Sequence, residues 1–327
     1  MKIAVMDDYQ DAFRNTRCAA KLQGHDIISY NTSEKDPVKF GRRAEGCEVI
    51  ALTQQRSFLP RAFIEALPAS VKLIAQTGRR AVHIDTAACT ERGIIISASG
   101  GGNSSPTVEL TWALILASVR NLPTEVNNMQ AGRWQSTAGI GLQGKTLGVY
   151  AYGKIGSGVA KVGKAFGMNV VCWGREGSTT KARADGFAVA ASREAFFADA
   201  DIVTLHLPLN KDTRGIVTGA DLARMKPTAR LVNSSRAPLI AEGALVDALK
   251  QGRPGFAAVD VYESEPVLNR EHPLVGMPNV ICTPHLGYVT WETYELYYAA
   301  VVDNILAYLA GTPTNVANPE VLARLRA

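Results

Sequence analysis

Short apolar runs alternate with amphipathic stretches along almost the whole chain. In the first third, the runs KIAVM, HDIISY, CEVIAL, VKLIAQ and GIIIS have the length and composition of buried strands. The intervening stretches LPRAFIEAL and IDTAACTER place apolar residues at helical spacing. Because strands that alternate with helices form mostly parallel sheets covered on both faces, the pattern predicts an α/β fold.

A flexible break separates two such series. The segment SASGGGNSSP precedes a helical stretch predicted from about Thr107 to Ala131. The strand pattern then resumes with TLGVYAY, NVVCW, ADIVTLHL, ARLVNSS, GFAAVDVY and NVICTP. A last helix is predicted in TWETYELYYAAVVDNILAYLA, before Gly311 and Pro313. Two doubly wound parallel-sheet domains are therefore the expected architecture.

Length and charge narrow the functional classes. The chain has 327 residues, of which 46% are hydrophobic, and a chain of this length normally folds as two domains. The net charge of +5 is spread thinly, and its densest groups are the pairs Arg42–Arg43 and Arg79–Arg80. Nucleic-acid binders concentrate such charge in a stripe, so no nucleic-acid partner is expected. A mildly basic protein suits small anionic substrates.

The cysteines and the apolar runs bear on location. Five scattered cysteines show no metal-ligand spacing, which predicts reduced thiols in a cytoplasmic protein and no metal site. The start, MKIAVMDDYQ, is typical of a strand rather than a signal peptide. The longest apolar run, around TWALILASV, is too short to cross a bilayer. We therefore expect a cytoplasmic protein with no membrane partner.

The stretch TLGVYAYGKIGSGVA nearly matches the dinucleotide fingerprint G-x-G-x-x-G. Ala151 occupies the first glycine position, and Gly153 and Gly156 follow. A strand precedes this loop, and an apolar helix and a second strand follow it, as a dinucleotide-binding βαβ unit requires. Gly153 would let the backbone approach a pyrophosphate, and Gly156 would let the helix pack closely on the sheet. Ala151 is expected to be tolerated with a negative φ; a tight turn without a ligand is the alternative.

Ionisable residues follow several of the predicted strands. Arg236 follows ARLVNSS, Glu265 lies shortly after GFAAVDVY, and His285 follows NVICTP. Ligands bind at the carboxyl ends of parallel strands, so these side chains should collect beside the dinucleotide. Taken singly, each has an ordinary structural explanation, and His206, inside an apolar run, is expected to be mainly structural. Together they suit carbonyl reduction: Arg grips a carboxylate, His donates a proton, and the acid keeps the His protonated.

These segments resemble the D-isomer-specific 2-hydroxyacid dehydrogenases, the family of phosphoglycerate, glycerate and D-lactate dehydrogenases and of glyoxylate/hydroxypyruvate reductases. The resemblance rests on GKTLGVYAYGKIGSGVAKVGKAFGMNVVCW, ADIVTLHLPLNKDTRGIV, MKPTARLVNSSRAPLIAEGALVDAL, AAVDVYESEP, PNVICTPHLGYVTWET and, nearer the start, TGRRAVHIDTAACTERGI. It implies a flavodoxin-like substrate domain at residues 1–102 plus 288–327. It also implies a Rossmann cofactor domain at residues 103–287, a cleft between the domains, and a homodimer formed through the cofactor domain.

The resemblance also implies roles for individual residues. Arg236, Glu265 and His285 would be catalytic, and Asp260 would lie near the nicotinamide carboxamide. Cofactor binding is implied for Gly153, Lys154, Ile155, Gly156, Gly174, Arg175, His206, Leu207, Pro208, Thr213, Ser234, Ser235, Arg236, Asp260, His285 and Gly287. Substrate binding is implied for Gln54, Gly78, Arg79, Arg236 and His285, with backbone N–H groups around Gly78 and Arg79 holding the substrate carboxylate.

Departures from the family pattern bear on the substrate. In TQQRSFLP, Gln54 stands where many relatives carry Arg, although Arg56 remains two residues on. The missing cation disfavours a phosphorylated substrate, so we predict a small 2-oxoacid or D-2-hydroxyacid of the glyoxylate/hydroxypyruvate type. The usual SRG is SRA here, with Ala237, and this change puts little in doubt.

The choice of dinucleotide depends on the end of the second cofactor-domain strand. Gly174, 21 residues after Gly153, occupies the position where an acid usually bonds the adenosine ribose. Arg175 follows it and could pair with a 2′-phosphate, so the cofactor is NAD or NADP, with NADP favoured. If the strand ended two residues later, Glu176 could reach the ribose and NAD would be favoured instead.

Two other functions fit the same sequence. A non-catalytic dinucleotide sensor or corepressor-like protein could share the fold, since fold does not determine function. A formate- or phosphite-type dehydrogenase would share the Arg and the His. The complete set of Arg236, Glu265 and His285 favours an enzyme over a sensor.

Overall fold

The structure, a computed structural model, describes residues 1–325 and divides into two units. Unit 1 consists of Met1–Asn103 together with the chain from Val289, and unit 2 spans Ser104–Tyr288. The sequence predicted boundaries after residues 102 and 287, so each observed boundary lies one residue further along the chain. Unit 1 therefore returns to its own fold after unit 2 is complete.

The strands and helices follow the alternation seen in the sequence. The strands are β1 (Lys2–Met6), β2 (Asp26–Ser29), β3 (Val49–Leu52), β4 (Leu73–Thr77), β5 (Ile95–Ser99), β6 (Thr146–Tyr150), β7 (Asn169–Trp173), β8 (Ala188–Val189), β9 (Ile202–Leu205), β10 (Arg230–Asn233), β11 (Phe256–Val259) and β12 (Val280–Cys282). The α-helices are α1 (Ala12–Asn15), α2 (Pro37–Arg43), α3 (Arg61–Ala66), α4 (Thr86–Glu91), α5 (Ser105–Val119), α6 (Leu122–Gln130), α7 (Lys154–Ala165), α8 (Glu176–Ala184), α9 (Arg193–Asp199), α10 (Gly219–Arg224), α11 (Ala244–Lys250), α12 (Trp291–Leu309) and α13 (Glu320–Arg324). Short 3₁₀ turns occupy Arg17–Leu22 and Ala237–Leu239.

Unit 1 contains a parallel sheet with the strand order β2-β1-β3-β4-β5. Every residue of β3 and β4 is buried, as expected when helices cover both faces of a parallel sheet. Since parallel neighbours need crossover connections, the helices between successive strands supply both the links and this cover. Each of the five apolar runs predicted as strands in this part of the chain overlaps one.

Unit 2 contains a seven-stranded parallel sheet with the order β12-β11-β10-β9-β6-β7-β8. Alternate strand residues enter two separate apolar clusters: Val203 and Leu205 of β9 belong to one, and Ile202 belongs to the other. The sheet therefore has a core on each face. The chain runs outward from β6 through β7 to β8 and then returns to β9 on the other side of β6. This reversal of strand order creates the crevice where α/β sheets bind ligands.

The predicted helix from about Thr107 to Ala131 is wrong as a single element. It is two helices, α5 and α6, separated at Arg120 and Asn121. Asn121 has a φ of +52°, a left-handed conformation that ends a helix, and Pro123 lies in the first turn of α6, where no backbone donor is needed. Two smaller elements, β8 and α13, had no counterpart in the prediction because both are too short to show periodicity.

Within residues 1–325, no helix is both long enough and apolar enough to span a bilayer.

Candidate active site

Three of the candidate site residues follow three adjacent strands of unit 2. Arg236 comes three residues after β10, Asp260 directly after β11, and His285 three residues after β12. These strands are parallel neighbours, so their carboxyl ends meet at one edge of the sheet. The sequence therefore brings a cation, a buried acid and an imidazole to one edge of the sheet.

His285 and Glu265 form a close pair. The Nδ1 atom of His285 lies 2.6 Å from Oε2 of Glu265, and the other carboxylate oxygen accepts the N–H of Tyr262 at 2.9 Å. Burial tends to raise the pKa of the Glu265 carboxyl, but the hydrogen bond and charge of His285 outweigh it and leave this pKa below its usual value. Glu265 therefore stays ionised, and Nε2 is the ring nitrogen of His285 left to face a reactant.

Asp260 fixes the backbone on both sides of His285. Its fully buried carboxylate accepts hydrogen bonds from the Thr283 hydroxyl at 2.6 Å, the Leu286 N–H at 2.7 Å and the Gly287 N–H at 2.9 Å. Burial raises the pKa of Asp260, and these hydrogen bonds oppose that rise. His285 itself has a φ of +53°, which costs free energy in a residue with a Cβ. The three bonds hold the loop in this conformation, a role additional to the one that the family resemblance implied.

Arg236 is placed by the polar end of β10. The Asn233 side chain donates to the Arg236 carbonyl at 3.0 Å, and the Ser235 hydroxyl donates to the Leu205 carbonyl at 2.7 Å. The guanidinium donates to the Ser235 carbonyl at 2.7 Å. Its charge also contributes to lowering the pKa of Glu265, so the two side chains belong to one electrostatic environment.

The glycine loop differs from the prediction at its first position. The expectation that Ala151 has a negative φ is wrong: its φ is +76°. The conformation is held because the Ala151 N–H donates to the Trp173 carbonyl at 2.7 Å and the Tyr152 N–H donates to the Ser178 hydroxyl at 2.6 Å. At Gly156, an added Cβ would lie 2.1 Å from the Ala151 carbonyl oxygen, so only glycine allows α7 to pack this closely.

The start of α7 fits the pyrophosphate of a dinucleotide. Gly153 caps this 12-residue helix, and a Cβ added there would meet no protein atom within 4 Å. Protein packing therefore does not explain the glycine, whereas close approach of a phosphate to the helix N-terminus does. Lys154 and Ile155 form the first turn of α7, at the crevice created by the reversal of strand order.

The loop after β7 bears on the adenosine end of the cofactor. The strand ends at Trp173, so it does not extend to the later position that would have favoured Glu176 as the ribose partner. Gly174 has a φ of +154°, and Arg175 is exposed immediately before α8. Glu176 is the first residue of α8. Arg175 is thus the cation next to a helix N-terminus.

His206 is buried and uncharged. Its Nε2 atom lies 3.0 Å from the Thr204 hydroxyl, and burial lowers its pKa to about 3. The ring is therefore neutral at physiological pH, as suits the mainly structural role expected from the sequence.

Other residues implied in cofactor binding shape their own loops. The Thr213 hydroxyl donates to the Pro208 carbonyl at 2.6 Å, and the Ser234 and Thr111 hydroxyls lie 2.7 Å apart. Leu207 is buried. The hydroxyls are thus used inside unit 2, where they position the backbone of the carboxyl edge.

In unit 1, two of the residues implied in substrate binding lie together. An added Cβ on Gly78, whose φ is +95°, would lie 3.5 Å from the side-chain oxygen of Gln54. The Gly78 N–H donates to the Ser99 carbonyl at 2.8 Å within unit 1, so one of the backbone N–H groups around Gly78 and Arg79 already has a partner. Arg79 bends back so that its Nε donates to the Gly100 carbonyl at 3.3 Å.

Sequence reasoning missed the surroundings of Arg56. Its guanidinium donates to the Asp7 carbonyl at 2.8 Å and to the Tyr294 hydroxyl at 2.7 Å, and it lies 4.7 Å from the ring centre of Tyr9. These partners come from opposite ends of the sequence, and no local motif links them. Thr283 was also missed, because no spacing rule predicts its contact with Asp260.

A family model matches the part of the chain that contains this site. The NAD binding domain of the D-isomer specific 2-hydroxyacid dehydrogenases matches residues 112–287. This range includes the glycine loop and the three candidate catalytic residues.

Within residues 1–325, no group of three or more His, Cys, Asp or Glu side chains is arranged to hold a metal ion.

Individual relatives extend the similarity beyond that domain. A glyoxylate reductase from Aeropyrum pernix is 36% identical over 262 residues, covering 77% of this chain and 78% of that protein. A D-3-phosphoglycerate dehydrogenase from Methanocaldococcus jannaschii is 38% identical over 243 residues, covering 74% of this chain but only 46% of that protein. A crystal structure of an oxidoreductase from Ralstonia solanacearum has a TM-score of 0.94 and 46% identity, covering 98% of both chains. The predicted two-domain α/β fold is confirmed by this similarity.

Proposed function

Because the chain belongs to the family of D-isomer specific 2-hydroxyacid dehydrogenases, we propose that it reduces a small, unphosphorylated 2-oxoacid with NAD(P)H. Membership confirms the resemblance drawn from the sequence, and with it the oxidoreductase class and a nicotinamide dinucleotide cofactor. The observation that carries the proposal is the 2.6 Å contact between His285 and Glu265 at the same sheet edge as Arg236. A dinucleotide sensor would need no such proton-donating pair.

The chain's own residues supply proton transfer and orientation. The bound dinucleotide would supply a hydride to the substrate carbon. Nε2 of His285 donates a proton to the carbonyl oxygen, and the ionised Glu265 keeps the imidazole protonated and oriented. Arg236 binds the substrate carboxylate through charge-assisted hydrogen bonds and turns the carbonyl towards His285. Asp260 holds the loop that carries His285. In the oxidative direction the same His285 accepts the proton of the hydroxyl group.

The absence of a phosphate on the substrate is inferred from Gln54. A neutral amide beside Gly78 offers no charge to a phosphate, at a position where the family resemblance leads us to expect an Arg. The Aeropyrum pernix relative is a glyoxylate reductase, which supports this inference; the Methanocaldococcus jannaschii relative is a phosphoglycerate dehydrogenase, which supports the competing one. The test is NADH or NADPH oxidation with glyoxylate, hydroxypyruvate and 3-phosphohydroxypyruvate. Turnover of the phosphorylated compound alone would contradict the proposal.

A preference for NADP is inferred from the loop after β7. Gly174 carries no acid to repel a 2′-phosphate, and Arg175 places a guanidinium beside the N-terminus of α8. Glu176, in the first turn of that helix, acts in the opposite direction. The balance favours NADP because Glu176 lies within the helix. The position where an acid usually bonds the ribose is occupied by Gly174, which has no side chain.

Association as a homodimer is inferred from an exposed apolar stripe. On α6, Leu122, Val126 and Met129 share one face and are each about half exposed or more, and Trp134 shortly after is 74% exposed. Contiguous apolar surface of this kind is typical of protein interfaces. A second copy pairing through unit 2 is the occupant we propose.

We also propose a cytoplasmic location, in keeping with five free cysteines.

A further inference from the structure

Unit 2 contains a cavity that the proposed reaction does not use. Its volume is about 270 Å³. It is lined partly by Asn233 and Ala237, which flank the Arg236 loop, and partly by Val261 and Glu263, which flank the segment leading to Glu265. The cavity is therefore bordered by the same two loops that carry Arg236 and Glu265, although neither of those side chains lines it.

The walls combine methyl groups with negative charge. Ile240, Leu245, Val259 and Leu274 contribute apolar surface. The polar groups are Glu242, Glu263 and His272, and within the part of the chain that the structure describes the lining contains no Lys or Arg. Both carboxylate side chains are exposed to solvent, so they stand at the mouth of the cavity rather than in its depth.

The His272 ring does not neutralise this charge in full. Its Nδ1 accepts the Leu274 N–H at 3.2 Å, so Nε2 carries the hydrogen and donates to Oε2 of Glu263 at 2.8 Å. This bond uses one oxygen of Glu263 and leaves Oε1 available. Among the contacts described for residues 1–325, Glu242 makes no ion pair.

We propose that this cavity is a second small-molecule site, selective for an apolar organic cation and coupled to catalysis. An apolar body would displace water from the methyl-lined wall, and a positive end would lie at the two mouth carboxylates. A neutral molecule of the same shape would gain only the first contribution. An anion would be repelled by Glu242 and Glu263, since no cation faces it.

Coupling follows from hydrogen bonds that lead out of the cavity wall. The Asn233 side chain donates to the Arg236 carbonyl at 3.0 Å and accepts the Ser235 N–H at 3.1 Å. On the other wall, Tyr262 packs its ring 5.0 Å from that of His272, while its N–H donates to Glu265. A ligand that moves either wall changes the position of a catalytic side chain.

Binding can be tested by NMR, from the chemical shifts of the full chain labelled at Ile, Leu and Val methyl groups. Benzyltrimethylammonium is the probe, because it has an apolar body and a fixed charge and cannot condense with a 2-oxoacid. Benzyl alcohol controls for the apolar body, and tetramethylammonium controls for the charge. We expect saturable shifts at Ile240, Leu245 and Leu274 with benzyltrimethylammonium, weaker binding of benzyl alcohol at the same methyl groups, and no shift at Ile74 of unit 1. No saturable shift would overturn the site, and equal affinity for benzyl alcohol would overturn its charge selectivity.

Variants at the cavity mouth test the role of the carboxylates. Glu242→Gln combined with Glu263→Gln should weaken benzyltrimethylammonium binding by about tenfold, the loss expected for a charged contact, and leave benzyl alcohol unaffected. Glu271→Gln, on the same loop but outside the lining, is the matched control and should bind as the native protein does. Unchanged affinity in the double variant would contradict the assignment of the cation to these carboxylates.

The coupling is tested by turnover at saturating benzyltrimethylammonium. We expect kcat or KM of the native protein to change at least about twofold, as for a modest coupling free energy. Val246→Phe, which fills the cavity from its partly exposed rim, should abolish the response, and the double Gln variant should shift its dose dependence by about tenfold. Binding without any kinetic response would overturn the coupling. The methyl shifts need no turnover, so they stand apart from the outcome of the proposed function.

Discussion

At the scale of single residues, the proposed proton transfer depends on the charge that Glu265 places beside His285. The lowered pKa of Glu265 means that this carboxyl is ionised throughout the neutral range, where it attracts and orients the proton-donating imidazole. Glu265→Gln removes the charge but keeps the shape, so the imidazole loses its charged partner. We expect kcat/KM for reduction to fall, and the fall to grow as the pH rises.

The measurement is kcat/KM for the 2-oxoacid as a function of pH through the neutral range. Glu271→Gln, which changes an exposed acid that does not contact His285, controls for a general change in charge. An unchanged pH profile in Glu265→Gln would show that Glu265 is a loop acid with no part in proton transfer.

Asp260 acts on the same imidazole through the backbone. In Asp260→Asn, the side-chain amide can still accept from two of the three donors, but its NH₂ group then faces the third N–H or hydroxyl. We expect a loss of about 1–3 kcal/mol in the free energy of unfolding, and a fall in kcat as His285 becomes less well held. Thermal unfolding and steady-state kinetics measure the two effects.

The Thr283→Val variant provides the matched comparison for Asp260. It removes one of the three donors but leaves the carboxylate bound to the Leu286 and Gly287 N–H groups, so its effects on stability and kcat should both be smaller. If Asp260→Asn kept native kcat and stability, the three hydrogen bonds would not be what holds the His285 loop.

At the scale of elements, the proposed preference for NADP depends on the loop between β7 and α8. Arg175→Ala removes the guanidinium beside the N-terminus of α8 and should lower kcat/KM for NADPH by about tenfold, the loss of one charge-assisted contact, with little change for NADH. Arg183→Ala, in the last turn of the same helix, serves as control. A native preference for NADH that Arg175→Ala leaves unchanged would contradict this interpretation of the loop.

Sequence reasoning predicted elements better than it predicted their internal geometry. Each apolar run assigned to a strand overlaps one, because a buried parallel strand is a continuous apolar segment. The helix broken at Asn121 and the positive φ of Ala151 were not predicted, since both depend on backbone contacts that hydrophobic spacing does not encode.

The candidate site shows the same division. Strand ends indicated Arg236, Glu265 and His285, because chemistry at the carboxyl edge of a parallel sheet leaves polar residues in a predictable place. The hydrogen bonds from Thr283 and Leu286 to Asp260 could not be predicted, since one is made by a backbone N–H and both depend on the exact course of a loop.

At the scale of the whole molecule, the apolar stripe on α6 predicts self-association. Val126→Glu places a charge in the centre of that stripe and should convert a dimer to a monomer, or weaken the dimer by at least about tenfold, because an unpaired interfacial charge is costly to bury. Asn127→Glu, one residue along on a different face of α6, should leave the association unchanged. Sedimentation equilibrium measures both, and a native protein that is monomeric at micromolar concentration would contradict the proposal.

In the proposed reaction, His285 donates the proton when NAD(P)H reduces a 2-oxoacid. The most direct test compares the kinetics of native protein and His285→Ala with glyoxylate and with hydroxypyruvate, with dinucleotide affinity measured separately by fluorescence titration. We expect His285→Ala to lower kcat by about 10²–10⁴-fold while dinucleotide affinity stays close to native. Near-native turnover in His285→Ala would contradict this role of His285.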